Sequence, residues 1–195
     1  MEPASRPWRL FCAIDLTSKA RERVMQHVAN LREKVPEASA SWSRAENIHL
    51  TIKFIGEVAT TRAADLSQAA CRAVAGMTGF EFELEAAGSF PKQGPPKVLW
   101  IGIVDALGKL SELYSRLEEE CAREGFAKEP RAFHPHLTVA RLRKPHGART
   151  LAAAHKELGF QSLTVPVAEL LVIRSELSSQ GSRYTVVSRH ELAVK

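Results

Sequence analysis

The segment HLTIKFIG, residues 49–56, opens with a histidine and a threonine two positions apart in a run rich in β-branched and aromatic residues. Such a run reads as a strand. Side chains at i and i+2 of a strand share a face, so His49 and Thr51 stand side by side. The order His, Leu, Thr returns 87 residues later in FHPHLTVAR, residues 133–141, where His136 and Thr138 again share a face. One such tripeptide is ordinary in a strand. Two of them at matching points of the chain decide how everything around them is divided.

Working outward from the first copy, periodicity predicts a strand at about 8–15 and a helix at about 18–34 with Thr17 as N-cap. After HLTIKFIG come a helix at about 61–75 and the strand FEFELEAAGSF, in which Phe80, Phe82 and Leu84 alternate with glutamates. VLWIGIV, at 98–104, reads as a short buried strand and restarts the order: a helix at about 106–124, the strand HLTVARL, a helix at about 148–158, one long strand VPVAELLVIRSEL and a last strand RYTVVSRHEL. PKQGPP (91–96) and KPHGAR (144–149) are loop and turn, and SSQGSR (178–183) is a hairpin tip. Each half thus runs strand, helix, strand with His-x-Thr, helix, strand, strand. This predicts a single bilobal domain over 1–195 with an approximate internal repeat, 8–97 and 98–192, and two lobes facing each other across a groove.

Composition bounds the function. With 195 residues, 45% apolar and 25% charged, the chain is that of a globular protein rather than a disordered one. A net charge of +5 and a pI near 9.3 suit a polyanionic partner. Cys12, Cys71 and Cys121 are odd in number and widely spaced, which reads as reduced thiols serving as small apolar residues. The run LFCAI after MEPASRPWR is too short for a secretory signal, and no later run approaches a membrane span, so the expected location is the cytoplasm.

Two histidine-threonine pairs brought together across a groove suit a phosphodiester. The hydroxyls can donate to non-bridging oxygens while the imidazoles flank phosphorus, and a pKa near 6.5 lets one ring accept a proton while the other donates one. No metal is required. His134 shares parity with His136, but Pro135 intervenes and no further ligand lies nearby in sequence to complete a metal set. His27, His146, His155 and His190 read as surface residues. Strict alternation turns Arg141 away from His136 unless a bulge brings it round, places Lys53 on the face of His49, and leaves Phe54 for the core. G-x-S-x-G, P-loop and dinucleotide fingerprints are absent from the sequence.

HLTIKF and PHLTVAR resemble the paired H-x-T-x signatures of the 2H phosphoesterase superfamily, in particular its RNA 2',3'-cyclic phosphodiesterase branch, also called 2'-5' RNA ligase. RLFCAIDL, GSFP followed by VLWIGI, and SELSSQGSRYTVV extend the likeness over nearly the whole chain. The resemblance implies an α+β bilobal fold, with pseudo-twofold related antiparallel sheets lining a central cleft and helices outside. It also implies a hydrolase that opens a terminal 2',3'-cyclic phosphate of RNA, or a cyclic nucleotide, to a 2'-phosphomonoester; the sequence calls for no cofactor, and a monomer is the default expectation. By position His49 resembles the proton donor and His136 the proton acceptor, and Thr51 and Thr138 resemble phosphate-binding hydroxyls; Arg141 is a candidate for a further phosphate contact if a bulge turns it to that face, and otherwise serves the fold. ATP-independent 2'-5' ligation of tRNA halves and non-catalytic binding of RNA ends are the alternatives the sequence leaves open.

Overall fold

Two successive strands that sequence reading takes for one mark where the chain crosses between layers. VPVAELLVIRSEL divides at Ala168 into β7 (Leu163–Val167) and β8 (Glu169–Ser178). They pair in different sheets, with Pro166 kept on an edge strand, where its missing N–H costs no ladder bond. The computed structural model describes residues 6–178 and 181–194. The N-terminal MEPAS, Ser179 and Gln180 of the expected SSQGSR hairpin tip, and Lys195 lie outside them.

The remaining elements are β1 (Trp8–Asp15), α1 (Ser18–Lys34), β2 (Ser41–Trp42), β3 (His49–Val58), α2 (Arg62–Val74), β4 (Phe80–Phe90), β5 (Val98–Val104), α3 (Lys109–Arg123), β6 (His136–Arg141), α4 (Ala148–Leu158) and β9 (Gly181–Glu191). Thr17 caps α1 as expected, its hydroxyl accepting the Ala20 N–H at 3.2 Å. The third helix starts later than its periodicity suggests because Asp105 accepts the N–H groups of Leu110 and Ser111 and holds residues 105–108 as a turn. Two-residue β2 is too short to show alternation and has no sequence signal. Among the described residues no helix is long and apolar enough to cross a membrane.

Two antiparallel sheets result, in the orders β3-β1-β8-β9 and β2-β6-β5-β4-β7. They correspond strand for strand: β3 with β6, β1 with β5, β8 with β4, and β9 with β7. Each sheet therefore takes strands from both halves of the chain, β4 joining the sheet of β5 and β6 while β8 and β9 join that of β1 and β3. One continuous core unites Leu10, Ile14, Leu50 and Ile52 with Phe82, Leu99, Leu137 and the inner faces of the helices. The other face of the first sheet carries a separate small cluster, Phe11, Ala13, Leu171 and Ile173, with Tyr184 against it.

Both motif strands are bulged at the same point. In β3, Thr51 pairs with Ala13 and Lys53 with Cys12, so Ile52 is an extra residue; in β6, Thr138 pairs with Trp100 and Ala140 with Leu99, so Val139 is extra. Alternation resets after each bulge. Lys53 consequently turns away from the face of His49 into the core, 4% exposed, and Phe54 emerges 49% exposed instead of packing inside, with Arg9 4.7 Å above its ring. The same reset brings exposed Arg141 back to the face of His136.

Buried Lys53 is paired. Its Nζ lies 2.5 Å from Glu118 Oε1 and donates to Ala127 O at 2.9 Å, while Glu118 Oε2 accepts the Glu129 N–H at 3.1 Å. Three of the four histidines read as surface residues are also buried, His27, His155 and His190; His146 is exposed as expected. His27 and His155 fall on the apolar stripes of α1 and α4, which periodicity could have shown. His155 Nε2–H donates to Trp100 O at 2.9 Å, so its Nδ1 accepts from His27 Nε2–H, also at 2.9 Å. Desolvation, and then the neighbouring His155, push the pKa of His27 down to about 4. Cys12 and Cys121 are buried, whereas Cys71 is exposed on α2 rather than serving the core.

Removing one partner of the buried ion pair strands the other charge, so Lys53→Ala should cost about 3–5 kcal/mol in urea unfolding, while Lys53→Met with Glu118→Leu should recover most of it. An unfolded histidine takes up a proton near pH 6.5, but folded His27 does so only near 4. Stability should therefore fall as pH drops from about 6.5 to about 4, and His27→Gln, which keeps the donor without the titration, should flatten that fall in pH-dependent urea melts.

Candidate active site

The two motif strands approach each other across the cleft, β3 as the edge of one sheet and β6 beside the short edge strand β2 of the other. Inside each, Leu50 and Ile52, or Leu137 and Val139, are pulled into the core by their apolar side chains. That burial leaves His49 with Thr51, and His136 with Thr138, on the opposite face.

Each ring is fixed by the backbone two residues before it. His136 Nδ1–H donates to the carbonyl of His134 at 2.8 Å, which leaves Nε2 to accept when the ring is neutral. The ring of His49 hydrogen-bonds to the backbone of Asn47, and its Nε2 lies 3.1 Å from Thr51 Oγ1. Burial pushes the pKa of His49 down to about 4; the bond to Asn47 and the charge of Asp15 oppose this, and Arg21 adds to it. His134 is exposed and contributes its carbonyl to the His136 ring rather than a second ring nitrogen.

Aromatic rings complete the setting. Phe11 stacks on His49 with centroids 4.8 Å apart, and Tyr184 meets both rings edge-on, 5.1 Å from His49 and 5.2 Å from Phe11. Phe90 meets His136 edge-on at 5.1 Å and leans on Trp100 at 5.3 Å. Trp100 pairs with Thr138 in the ladder, and its indole lies across Gly88, where a Cβ would sit 2.3 Å away. Only glycine admits it.

Several of these groups escape a motif-based reading. Phe11 and Tyr184 stand in strands whose positions are legible, but facing His49 is a matter of register. Arg21 is another: it binds the carbonyls of Ala45 and Ile48 and the carboxylate of Asp15, and so clamps the turn that delivers His49. Asn47 is held in turn by its side chain, which donates to Ser182 O at 2.9 Å. A helix arginine gives no hint in sequence of such a partner.

Among the described residues no three His, Cys, Asp or Glu side chains gather as a metal-ligand set. The geometry is that of two paired imidazoles and hydroxyls over aromatic floors, able to hold a small anion and move protons on either side of it.

Known proteins resemble the chain in sequence and in overall fold. Residues 16–178 match the family model described as the 2'-5' RNA ligase superfamily. The chain is 33% identical over 188 residues to an RNA 2',3'-cyclic phosphodiesterase of Escherichia coli, covering 96% of this chain and 98% of that one, and 29% identical over 180 residues to that of Thermotoga maritima, covering 92% of each. E. coli LigT superposes with a TM-score of 0.75 in its apo form, at 28% identity and with 97% of this chain and 99% of that one covered; its complex with 3'-AMP gives 0.73 at 30% identity, with 96% and 99% covered. On fold, motif strands and sequence together, the chain belongs to the 2'-5' RNA ligase superfamily of 2H phosphoesterases.

Proposed function

We propose that the protein hydrolyses the terminal 2',3'-cyclic phosphate of RNA to a 2'-phosphomonoester by two-histidine acid and base chemistry without a metal. The observation that carries this reading is the duplicated arrangement of a backbone-fixed imidazole and a hydroxyl on each of two facing strands. Relatives at about 30% identity over most of the chain bear the name RNA 2',3'-cyclic phosphodiesterase, which points to the same reaction.

In this mechanism Thr51 and Thr138 donate to the non-bridging oxygens of the cyclic phosphate, and Arg141 adds its charge from the end of β6. His136 Nε2 takes a proton from water, the water oxygen attacks phosphorus, and the bond from phosphorus to the 3'-oxygen breaks. His49 gives that oxygen a proton. The products are a 2'-phosphate and a free 3'-hydroxyl, and exchange with solvent restores both rings.

The low pKa of His49 has a consequence for the order of events. With a pKa of about 4 the ring is neutral at pH 7 in the protein alone. A phosphodiester beside it brings a negative charge that favours imidazolium, so the donor is loaded when substrate arrives.

Product analysis on a cyclic-phosphate oligonucleotide in EDTA should show only the 2'-phosphate; exclusive 3'-phosphate, or no turnover, would overturn the reading. His49→Ala and His136→Ala should each lower kcat by about 10²–10⁴-fold without loss of fold. Thr51→Val and Thr138→Val should each cost about 10–100-fold, the scale of one hydrogen bond to a charged group. NMR titration of the His49 ring should give a pKa near 4 that rises when a nucleoside 2'-phosphate is added, and an unmoved value would exclude it as the donor.

A further inference from the structure

The positive charge of this protein is concentrated. Segments 91–97 (PKQGPPK) and 141–149 (RLRKPHGAR) contain Lys92, Lys97, Arg141, Arg143, Lys144 and Arg149 and no acidic residue. These sixteen residues carry +6, more than the whole chain's +5, so the other 179 residues stand together at −1.

The fold makes the two segments one surface. Val98 pairs with Arg141, and the Leu142 N–H donates to Lys97 O at 2.8 Å, joining the β4–β5 loop to the β6–α4 loop. Lys97 N–H closes the first loop by donating to Phe90 O at 2.7 Å, and Pro96 and Leu142 anchor the pair by burial. Gly147 packs the second loop so closely on Ala38 that a Cβ would lie 2.9 Å from its Cα. All six cations are exposed, and among the described residues none of them forms an ion pair with a carboxylate.

The surface begins at the catalytic face: Arg141 continues the line of His136 and Thr138, and Phe90, where the first loop starts, packs on the His136 ring. A 2',3'-cyclic phosphate is the last group of its strand, so the whole of the RNA lies to one side of it. We propose that these two loops form a track for the backbone phosphates of the single-stranded RNA that precedes the cyclic end, and so determine preference for a polynucleotide over a cyclic mononucleotide. The counterpart position on β3 offers Phe54 under Arg9 instead, with Glu57 following, and lacks such a concentration of charge. Unpaired cations on a fixed surface gain by releasing condensed counterions from a polyanion, an effect that a single nucleotide scarcely supplies.

The proposal rests on the activity proposed above, and one comparison separates the two. In Lys92→Gln/Lys97→Gln/Arg143→Gln/Lys144→Gln, kcat/KM for a 2',3'-cyclic mononucleotide should stay within about twofold. For a cyclic-phosphate oligonucleotide of about ten residues at low salt it should fall at least about tenfold, with a salt slope shallower by about 0.7 for each backbone phosphate that the variant no longer neutralises. An equal effect on both substrates, an unchanged oligonucleotide rate, or loss of the oligonucleotide preference in Phe54→Ala instead would overturn the track. Failure of the unaltered protein to open the cyclic mononucleotide would overturn the underlying activity, and the track with it.

Discussion

The bulge directly after the threonine of each motif strand is the constraint on which the rest depends. A strand has a period of two, and a sequence that must show His and Thr to the cleft gives the core every other position. In β3 and β6 the alternation is broken after the threonine, so that two consecutive residues turn inward: Ile52 with Lys53, and Val139 with Ala140. Core packing is thereby strengthened directly beneath the site. The next residue returns to the cleft face, which gives Phe54 and Arg141 their exposure.

The two inward pairs are not equivalent. Ala140 fills space, whereas Lys53 brings a charge into a region where desolvation is expensive. Its partner Glu118 and the carbonyl of Ala127 satisfy it, and the same carboxylate holds the N–H of Glu129. The segment so held leads through Phe133, stacked on Tyr114 at 4.1 Å, to His136. A buried ion pair is a poor source of net stability, but its directional bonds fix a geometry that apolar packing would leave looser. Here it links the strand of the first motif to the approach of the second.

The strands, helices and motif pairs were legible because each carries a strong local period. Where reading failed, the deciding information was two-dimensional. Whether VPVAELLVIRSEL is one strand or two depends on which sheet receives each part, and no Gly or Asn marks the division. A bulge has no fixed sequence signature, so the depth of Lys53, the exposure of Phe54 and the facing of Arg141 follow only from register. His27 and His155 needed to be weighed together, since burial of either ring becomes tolerable through the other's nitrogen. Phe11, Tyr184 and Phe90 reach the histidines from strands distant in sequence.

The exchange of strands between the sheets sets an order on the making of the molecule. Cys12 finds one neighbour in Lys53 and the other in Val172, 160 residues further on. During synthesis β1 and β3 can form only a two-stranded ribbon, which is marginal in water, until β8 is released. The sheet of β4, β5 and β6 draws all its strands from earlier in the chain. His136 therefore stands in a finished sheet while His49 still waits for the last part of the polypeptide, and the two halves of the cleft mature in the reverse of their order in the sequence.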